Sequence, residues 1–411
     1  MSVTERLDVR SPAPRSRRSL PRAEQPARCS TDLFVFTLVA DRTDFALLEQ
    51  DWNGLFARAG RPQQLFQAYN WLRVWADHYL DEDTRLSIVI ARQRGRLVMI
   101  WPLVAIRRAG LTGLCWMGEP VSQYGDVLVE DGPDRSALLS QGWAFVQSLG
   151  ADFIHLRKTR EDSAVFALLR EAGAQSIATA AAPYLDLASA PDYETYQRRY
   201  PAKQRARRRS LLRRLQQRGS VTFERHGSGV AATGLVVEAL QLKQKWLIAR
   251  GVVAPVLQDS RFGNFLLDAA GCSGTPAVRV SAVRCNGETA AVEVSLECKN
   301  HRVAYLISYD IALAQHGVGV IAAEDSIRGA HASGLARFDL LTPADAYKLQ
   351  WADSAVEVHD WTVPFSPAGK IYVRVWLAVV KERMKRAVKT WPAWLRRCLA
   401  RLYRWAGCRV G

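Results

Sequence analysis

The chain has 411 residues, 48% of them hydrophobic, and a net charge of +16, which is enough chain and apolar content for two or three packed domains. The charge is uneven: residues 1–30 contribute +4, residues 370–411 contribute +11, and residues 198–218 carry ten Lys or Arg and no acid, so the rest of the core is about −9. This excludes a uniformly basic nucleic-acid binder and describes a slightly acidic body with three basic attachments.

Residues 1–31 are rich in Arg, Pro and Ser and lack an apolar stretch, so they read as a disordered basic tail rather than a secretory signal. Residues 32–187 read as one α/β unit. A strand at Leu33 to Leu38 leads to a helix near 44–58 and a second near 66–79 that carries Trp71 and Trp75. Leu86 to Arg92 and Arg96 to Arg107 form a hairpin across Arg94-Gly95. A helix at 135–149, a strand at 152–157 and a helix at 161–172 follow. Residues 220–365 repeat the plan. A strand at 221–224 precedes helices at 231–250 and 261–270. Then come strands at 277–284, 289–297 and 302–309, a helix at 319–333, and strands at 336–341 and 355–363. The hairpin turn here is Asn286-Gly287, a strong turn signal. The expected fold class is therefore α/β, with two tandem copies of one mixed-sheet plan flanked by helices.

The connecting segment 188–219 holds a basic helix from Lys203 onward, with Leu211, Leu212 and Leu215 on one side and Gly219 suited to its C-cap. Eight cations in sixteen residues with no acid repel one another, and an anion nearby relieves that. Residues 203–218 are a candidate anion-binding helix, for CoA phosphates, an acidic glycan or tRNA, as well as a solvated helix packed through its leucines. In the last segment, 366–411, Val373, Trp376, Leu377, Val380, Met384 and Trp391 fall on one helical face. Arg374, Lys381, Lys385, Arg386 and Lys389 take the other. Such basic amphipathic helices suit a membrane surface, which makes 370–405 a candidate peripheral contact. No apolar run has transmembrane length. The seven cysteines (Cys29, Cys115, Cys272, Cys285, Cys298, Cys398, Cys408) include no CxxC pair and read as idle thiols of a cytoplasmic protein. No cluster of His, Cys and carboxylates reads as a metal site.

The most informative stretch is 301–351. An apolar run, Val303 to Tyr309, breaks into the turn Gln315-His316-Gly317-Val318-Gly319 and then a helix. A second strand, Phe338 to Leu341, follows. Strand, glycine turn and helix N-terminus make a place for an anion, because free N–H groups and the helix dipole point at it.

That order, with Tyr309-Asp310 before the turn and Phe338-Asp339 and Tyr347-Lys348 after it, resembles the GNAT acyltransferase superfamily. More narrowly it resembles the double-GNAT CelD/BcsL-like proteins of cellulose and exopolysaccharide biosynthesis, related to Fem-type aminoacyltransferases. Phe66-Gln67, Trp71, Trp75, Pro102-Leu103, Tyr124-Gly125-Asp126, the Arg-rich helix, Trp246 and Arg250-Gly251 continue the likeness over residues 32–365. The chain departs from it at Thr342-Pro343-Ala344, where the family has glycine, and the phosphate loop is one residue shorter than usual.

The resemblance implies an acyltransferase using acetyl-CoA or another acyl-CoA as co-substrate and no metal. The acceptor would be an amine or hydroxyl of a sugar or glycan precursor, attacked directly in a ternary complex. It implies Gln315, Gly317, Val318 and Gly319 at the pyrophosphate. Lys348 belongs to the same cofactor-binding group or pairs with Asp339 or Asp310. A backbone N–H near Tyr305 to Ile307 would face the oxyanion. Asp310, Glu293 and Asp339 are the candidate bases, and burial of Glu293 inside an apolar run would raise its pKa into a useful range. Tyr347 is the candidate acid for the departing thiolate. Tyr124 and Asp126 are candidates for an acceptor cleft. A Fem-like enzyme using aminoacyl-tRNA and a non-catalytic subunit of a polysaccharide synthase remain open alternatives.

Overall fold

The computed structural model describes residues 34–375 apart from residue 109. The basic tail over 1–31 and the amphipathic segment beyond 375 lie outside the described residues. The elements run β1 (Val35–Val39), α1 (Arg42–Leu47), α2 (Glu49–Ala59), α3 (Tyr69–Tyr79), β2 (Thr84–Leu86), β3 (Ile88–Gln93), β4 (Arg96–Trp101), β5 (Leu103–Arg108), β6 (Leu111–Trp116), β7 (Leu128–Val129), α4 (Arg135–Gln147), β8 (Phe153–Arg160), α5 (Phe166–Glu171) and β9 (Gln175–Asp186). The connecting helices α6 (Tyr193–Gln197) and α7 (Ala202–Gln216) follow. Next come β10 (Val221–His226), α8 (Val230–Arg250), α9 (Pro255–Gln258), α10 (Ser260–Gly271), β11 (Ala277–Cys285), β12 (Glu288–Cys298) and β13 (His301–Tyr309). The chain continues through α11 (Val318–Ala332), β14 (Arg337–Asp339), α12 (Ala346–Leu349), β15 (Ser354–Pro364) and α13 (Pro367–Ile371).

The two halves open on the same unit. β1, β3 and β4 pair antiparallel in that order, as do β10, β11 and β12, with helices between the first strand and the hairpin in both. The hairpin turns share their chemistry. Arg94-Gly95 has φ of 50° and 82°, and Asn286-Gly287 has 54° and 80°, the two positive values of a type I′ turn that matches strand twist. The halves then diverge. The strand expected from Arg96 to Arg107 breaks at Pro102, which has no N–H for the ladder. Up to Trp101 the chain lies in a four-stranded sheet, and from Leu103 it joins an eleven-stranded one.

That larger sheet crosses both halves, in the order β10-β11-β12-β13-β14-β9-β15-β8-β6-β5-β2. β15, which the chain order assigns to the second copy, lies between β9 and β8 of the first. β9, an alanine-rich strand with few β-branched residues and therefore little strand signature, joins β14 to β15. The halves thus share one hydrogen-bonded sheet rather than a side-chain interface alone.

The main apolar cluster reflects this. Trp52, Trp71 and Trp75 of the first half pack with Phe262, Phe265 and Val292 of the second. Trp71 donates to Ser122 Oγ at 3.0 Å and Trp75 to the Glu119 carbonyl at 2.9 Å, so both are core residues with satisfied indoles. The described cysteines, Cys115, Cys272, Cys285 and Cys298, are free. Among the described residues no helix is long and apolar enough to cross a membrane. The start of the C-terminal segment docks on the body, with Val373 buried and Tyr372 stacked 4.7 Å from Phe153.

Candidate active site

The site originates in a strand pair that comes apart. β13 is paired with β12 along its length, but it meets β14 only from His301 to Val303. From Ala304 onward its other edge has no strand partner among the described residues, so backbone N–H and C=O groups face a gap instead of a ladder. A register shift opposite Val294 and Ser295 leaves Tyr305 as the extra residue of a bulge, which bends the strand and re-aims the backbone. The Tyr305 ring is held among Trp71, Phe66 and Phe262, and its hydroxyl donates to the Val121 carbonyl at 2.9 Å.

Two cavities meet at this gap. The larger, of about 520 Å³, lies at the C-terminal end of β13 between α7, α8 and the start of α11. The smaller, of about 340 Å³, runs between β13 and β14. Lys243, Ile307, Ala323, Tyr347 and Trp351 line both. A ligand in the first therefore reaches the second at the open strand edge.

The glycine turn forms one wall of the larger cavity. Residues 311–316 make a 3₁₀ turn capped by Asp310, whose carboxylate accepts from the Ala312 N–H at 2.9 Å. Gly317 sits at φ 67°, in the left-handed region, and opens α11. The Gly317 N–H donates to the Ala314 carbonyl and the Val320 N–H to the Gly317 carbonyl, which leaves the Val318 and Gly319 N–H groups as the first-turn donors beside a cavity that Gly317 and Gly319 line. A Cβ on Gly317 would lie 2.7 Å from Leu211, so glycine also permits the close approach of α7. The Val318 side chain is buried in the core. Gln315 does not line the cavity. It lies exposed beside His316.

The three candidate carboxylates have different surroundings. Glu293 lies on the β12 face that packs against α11, is 2% exposed and lines the smaller cavity. It accepts from Ser326 Oγ at 2.5 Å. Burial pushes its carboxyl up to about 7, against the Ser326 hydrogen bond and the Arg302 charge, which favour the ionised form. Asp339 is also buried, but its oxygens are occupied: Oδ2 accepts from Arg160 at 2.8 Å, and Oδ1 accepts from the Tyr124 hydroxyl at 2.8 Å and the Leu341 N–H at 2.7 Å. Asp310 faces its own turn. The cavities therefore reach Glu293 alone of the three.

Tyr347 lines both cavities while remaining 51% exposed, and its partial burial raises the hydroxyl pKa. Lys348 pairs with neither Asp339 nor Asp310. Its Nζ donates to the Leu341 carbonyl at 3.0 Å and braces the Thr342-Pro343 loop at the smaller cavity. Tyr124 and Asp126 are buried braces rather than cleft residues. Asp126 accepts from Gln64 Nε2 at 2.7 Å and the Val127 N–H at 2.8 Å. Their neighbour Gln123 is the residue that reaches the smaller cavity.

Lys243 on α8 is the residue that sequence reasoning missed. It donates to the Ile307 carbonyl at 3.1 Å, where the two cavities join. Burial lowers its pKa, and no described acid forms an ion pair with it. Its only sequence signal was a lysine within the otherwise apolar inner face of a helix. The wall beside α11 is the basic helix α7, which contributes Gln204, Arg207, Arg208 and Leu211. Its end is fixed differently from the expected glycine cap. Gln217 is the C-cap, and Gly219, at φ 151°, allows Asn286 to approach and hold both ends of the turn through the Ser220 N–H and the Arg218 carbonyl. Among the described residues no cluster of His, Cys, Asp or Glu is arranged to hold a metal ion.

Residues 202–349, which contain α7, α8, β12, β13, α11, β14 and α12, match the family model of the acetyltransferase (GNAT) domain. The fold is also that of FemX (TM-score 0.55, 9% identity, covering 80% of this chain and 98% of that one). It is likewise that of the C-terminal DUF2156 domain of a protein described as a lysylphosphatidylglycerol synthetase from Agrobacterium fabrum (TM-score 0.50, 12% identity, 80% and 95% covered). A tandem GNAT protein of the clavulanic acid pathway aligns over 81% of this chain and 99% of its own, at 14% identity and TM-score 0.46. Among the curated proteins none matches in sequence. Residues 202–349 therefore match a GNAT acetyltransferase domain, and the described chain shares its fold with FemX.

Proposed function

We propose that the second half, residues 220–365, transfers an acyl group from an acyl-CoA to an amine or hydroxyl acceptor, a sugar or glycan precursor being the acceptor class that the sequence resemblance favours. The observation that carries this is the pair of joined cavities through a splayed strand pair. One has a helix N-terminus in its wall, and the other has a buried carboxylate pushed up to about 7.

In this reading the donor occupies the larger cavity. Its diphosphate lies at the first turn of α11, and its thioester lies beside the open edge of β13. The acceptor enters through the smaller cavity. Ionised Glu293 takes the proton of the attacking nitrogen or oxygen as the new bond to the acyl carbon forms. The carbonyl oxygen becomes an oxyanion held by a β13 N–H and by Lys243. The C–S bond then breaks, and Tyr347, still protonated at neutral pH, delivers a proton to the thiolate. No covalent enzyme intermediate is required, and none of the described cysteines lines either cavity.

One observation favours a second donor class. Arg207, Arg209, Arg213 and Arg214 of α7 are exposed, and no described acid forms an ion pair with them. A polyanionic donor such as an aminoacyl-tRNA would use that face.

Calorimetric titration of acetyl-CoA and CoA into the full chain, beside Gly319→Trp, tests the reading. Micromolar binding that is lost when the tryptophan fills the cavity supports it. A folded wild-type protein that binds no acyl-CoA refutes it and leaves the tRNA donor to be tested by the same titration.

A further inference from the structure

The lining of the larger cavity carries an excess of positive charge. Three cations, Arg207, Arg208 and Lys243, face it against one carboxylate, Asp345. Of these, Arg208 is the most constrained. It is 4% exposed, its guanidinium lies 3.5 Å from the Trp351 ring centroid and 4.1 Å from that of Tyr200, and its Nη1 has no hydrogen-bond partner. The two rings are themselves fixed, since the Tyr200 hydroxyl donates to the Trp351 carbonyl at 2.8 Å. Aromatic stacking holds the plane of a guanidinium but satisfies none of its N–H donors. The two rings favour the cation but leave its Nη1 without an acceptor, and a buried donor left unpaired is costly.

Arg208 also occupies a particular place along α7. Leu211, one turn further on, is the residue that closes on Gly317. Arg208, Gly317 and Gly319 line the same cavity, and a planar donor fork and a positive helix end favour the same kind of group.

We propose that Arg208 is a phosphoryl-binding residue of the donor site. The diphosphate of the donor would be clamped between the N-terminus of α11 and a guanidinium supplied by the helix that connects the two halves. This rests on the reading of the larger cavity as the donor site. It assigns part of donor recognition to a segment outside both repeated units, so donor binding ties α7 to α11.

The test is calorimetry and thermal melting of the full chain, wild type against Arg208→Met, with four probes: acetyl-CoA, dephospho-acetyl-CoA, S-acetylpantetheine and inorganic pyrophosphate. The expected result is a loss of about tenfold to a hundredfold in affinity for acetyl-CoA. The loss should be equal for dephospho-acetyl-CoA, which keeps the diphosphate. S-acetylpantetheine, which has no phosphoryl group, should be unaffected, and pyrophosphate should raise the melting temperature of the wild type only. Equal affinity of both proteins for acetyl-CoA overturns the proposal and leaves the acyltransferase reading standing, as does an equal loss for S-acetylpantetheine, which would mean that Arg208 only packs. A wild type that binds pyrophosphate but no acyl-CoA, with the binding lost in Arg208→Met, sinks the donor assignment and keeps the phosphoryl site. Arg208→Lys guards against a misfolded methionine variant: it keeps the charge without the planar fork, and a several-fold weakening restricted to the diphosphate probes is expected.

Discussion

Arg160 Nη1 donates to Asp339 Oδ2 at 2.8 Å, with the two side chains 3% and 7% exposed. Arg160 ends β8 of the first half and Asp339 ends β14 of the second, so this buried pair lies at the seam where the halves share a sheet. The remaining oxygen of Asp339 holds Tyr124 and the backbone of Leu341. The loop that borders the smaller cavity is thus tied to the first half of the chain by one carboxylate.

Asp339→Asn is therefore expected to act on stability rather than chemistry. It leaves the Arg160 cation buried with only Asp162 as partner, which costs about 3 kcal/mol, the low end for a broken buried pair. Denaturant unfolding measures this. Turnover per folded molecule should stay within about threefold of wild type, where loss of a general base would remove about a hundredfold or more.

Glu293→Gln separates the two carboxylates. Turnover should fall by about a hundredfold or more, and the wild-type rate should rise with pH through an apparent pKa near 7. The stability effect has the opposite sign. The folded-state pKa of Glu293 lies above its ordinary value of 4.5, so its contribution is fully present below about pH 4.5 and is lost as pH rises through about 7. Above pH 7 the glutamine variant should be the more stable protein, by up to roughly 3 kcal/mol, a gain that vanishes in acid. A pH series of thermal melts reads this directly.

Lys243→Met removes a cation that burial disfavours. Its depressed pKa makes its contribution favourable only above the pKa of an unfolded lysine, so at pH 7 the variant should melt at or above the wild-type temperature. The rate of the chemical step should nevertheless fall by about tenfold to a hundredfold through loss of an oxyanion donor, with donor affinity little changed. Single-turnover kinetics beside calorimetry distinguishes this from a binding defect.

Gly317→Ala places a Cβ at a left-handed φ and 2.7 Å from Leu211. The backbone alone costs about 1–2 kcal/mol, and relief of the overlap shifts the Leu211 side chain at the cavity wall. Reduced stability and weaker acetyl-CoA binding should appear together. In Leu211→Ala/Gly317→Ala the overlap is gone, and binding should recover more than stability does.

Much of this protein was legible in its residue order. Period-two and helical patterns placed most strands and helices. The Asn286-Gly287 and Arg94-Gly95 turns exposed the internal repeat, and the glycine turn after Tyr309 marked the start of α11. These are local signals, each a property of neighbouring residues and the backbone conformations they permit. Glu293 was visible as a charge in an apolar run, but the sequence left open which face of β12 it takes, since alternation alone allows either. Only the tertiary structure decided that Glu293 faces α11 and a cavity while Asp339, an equally plausible carboxylate in sequence, is consumed by Arg160 and Tyr124. It also decided that β15 crosses into the first half, that Lys243 meets the open edge of β13, and that Arg208 turns inward from an otherwise solvated helix. Each of these depends on groups brought together from more than thirty residues apart. The free energy that fixes them comes from burial and pairing, and one stretch of sequence carries no record of it.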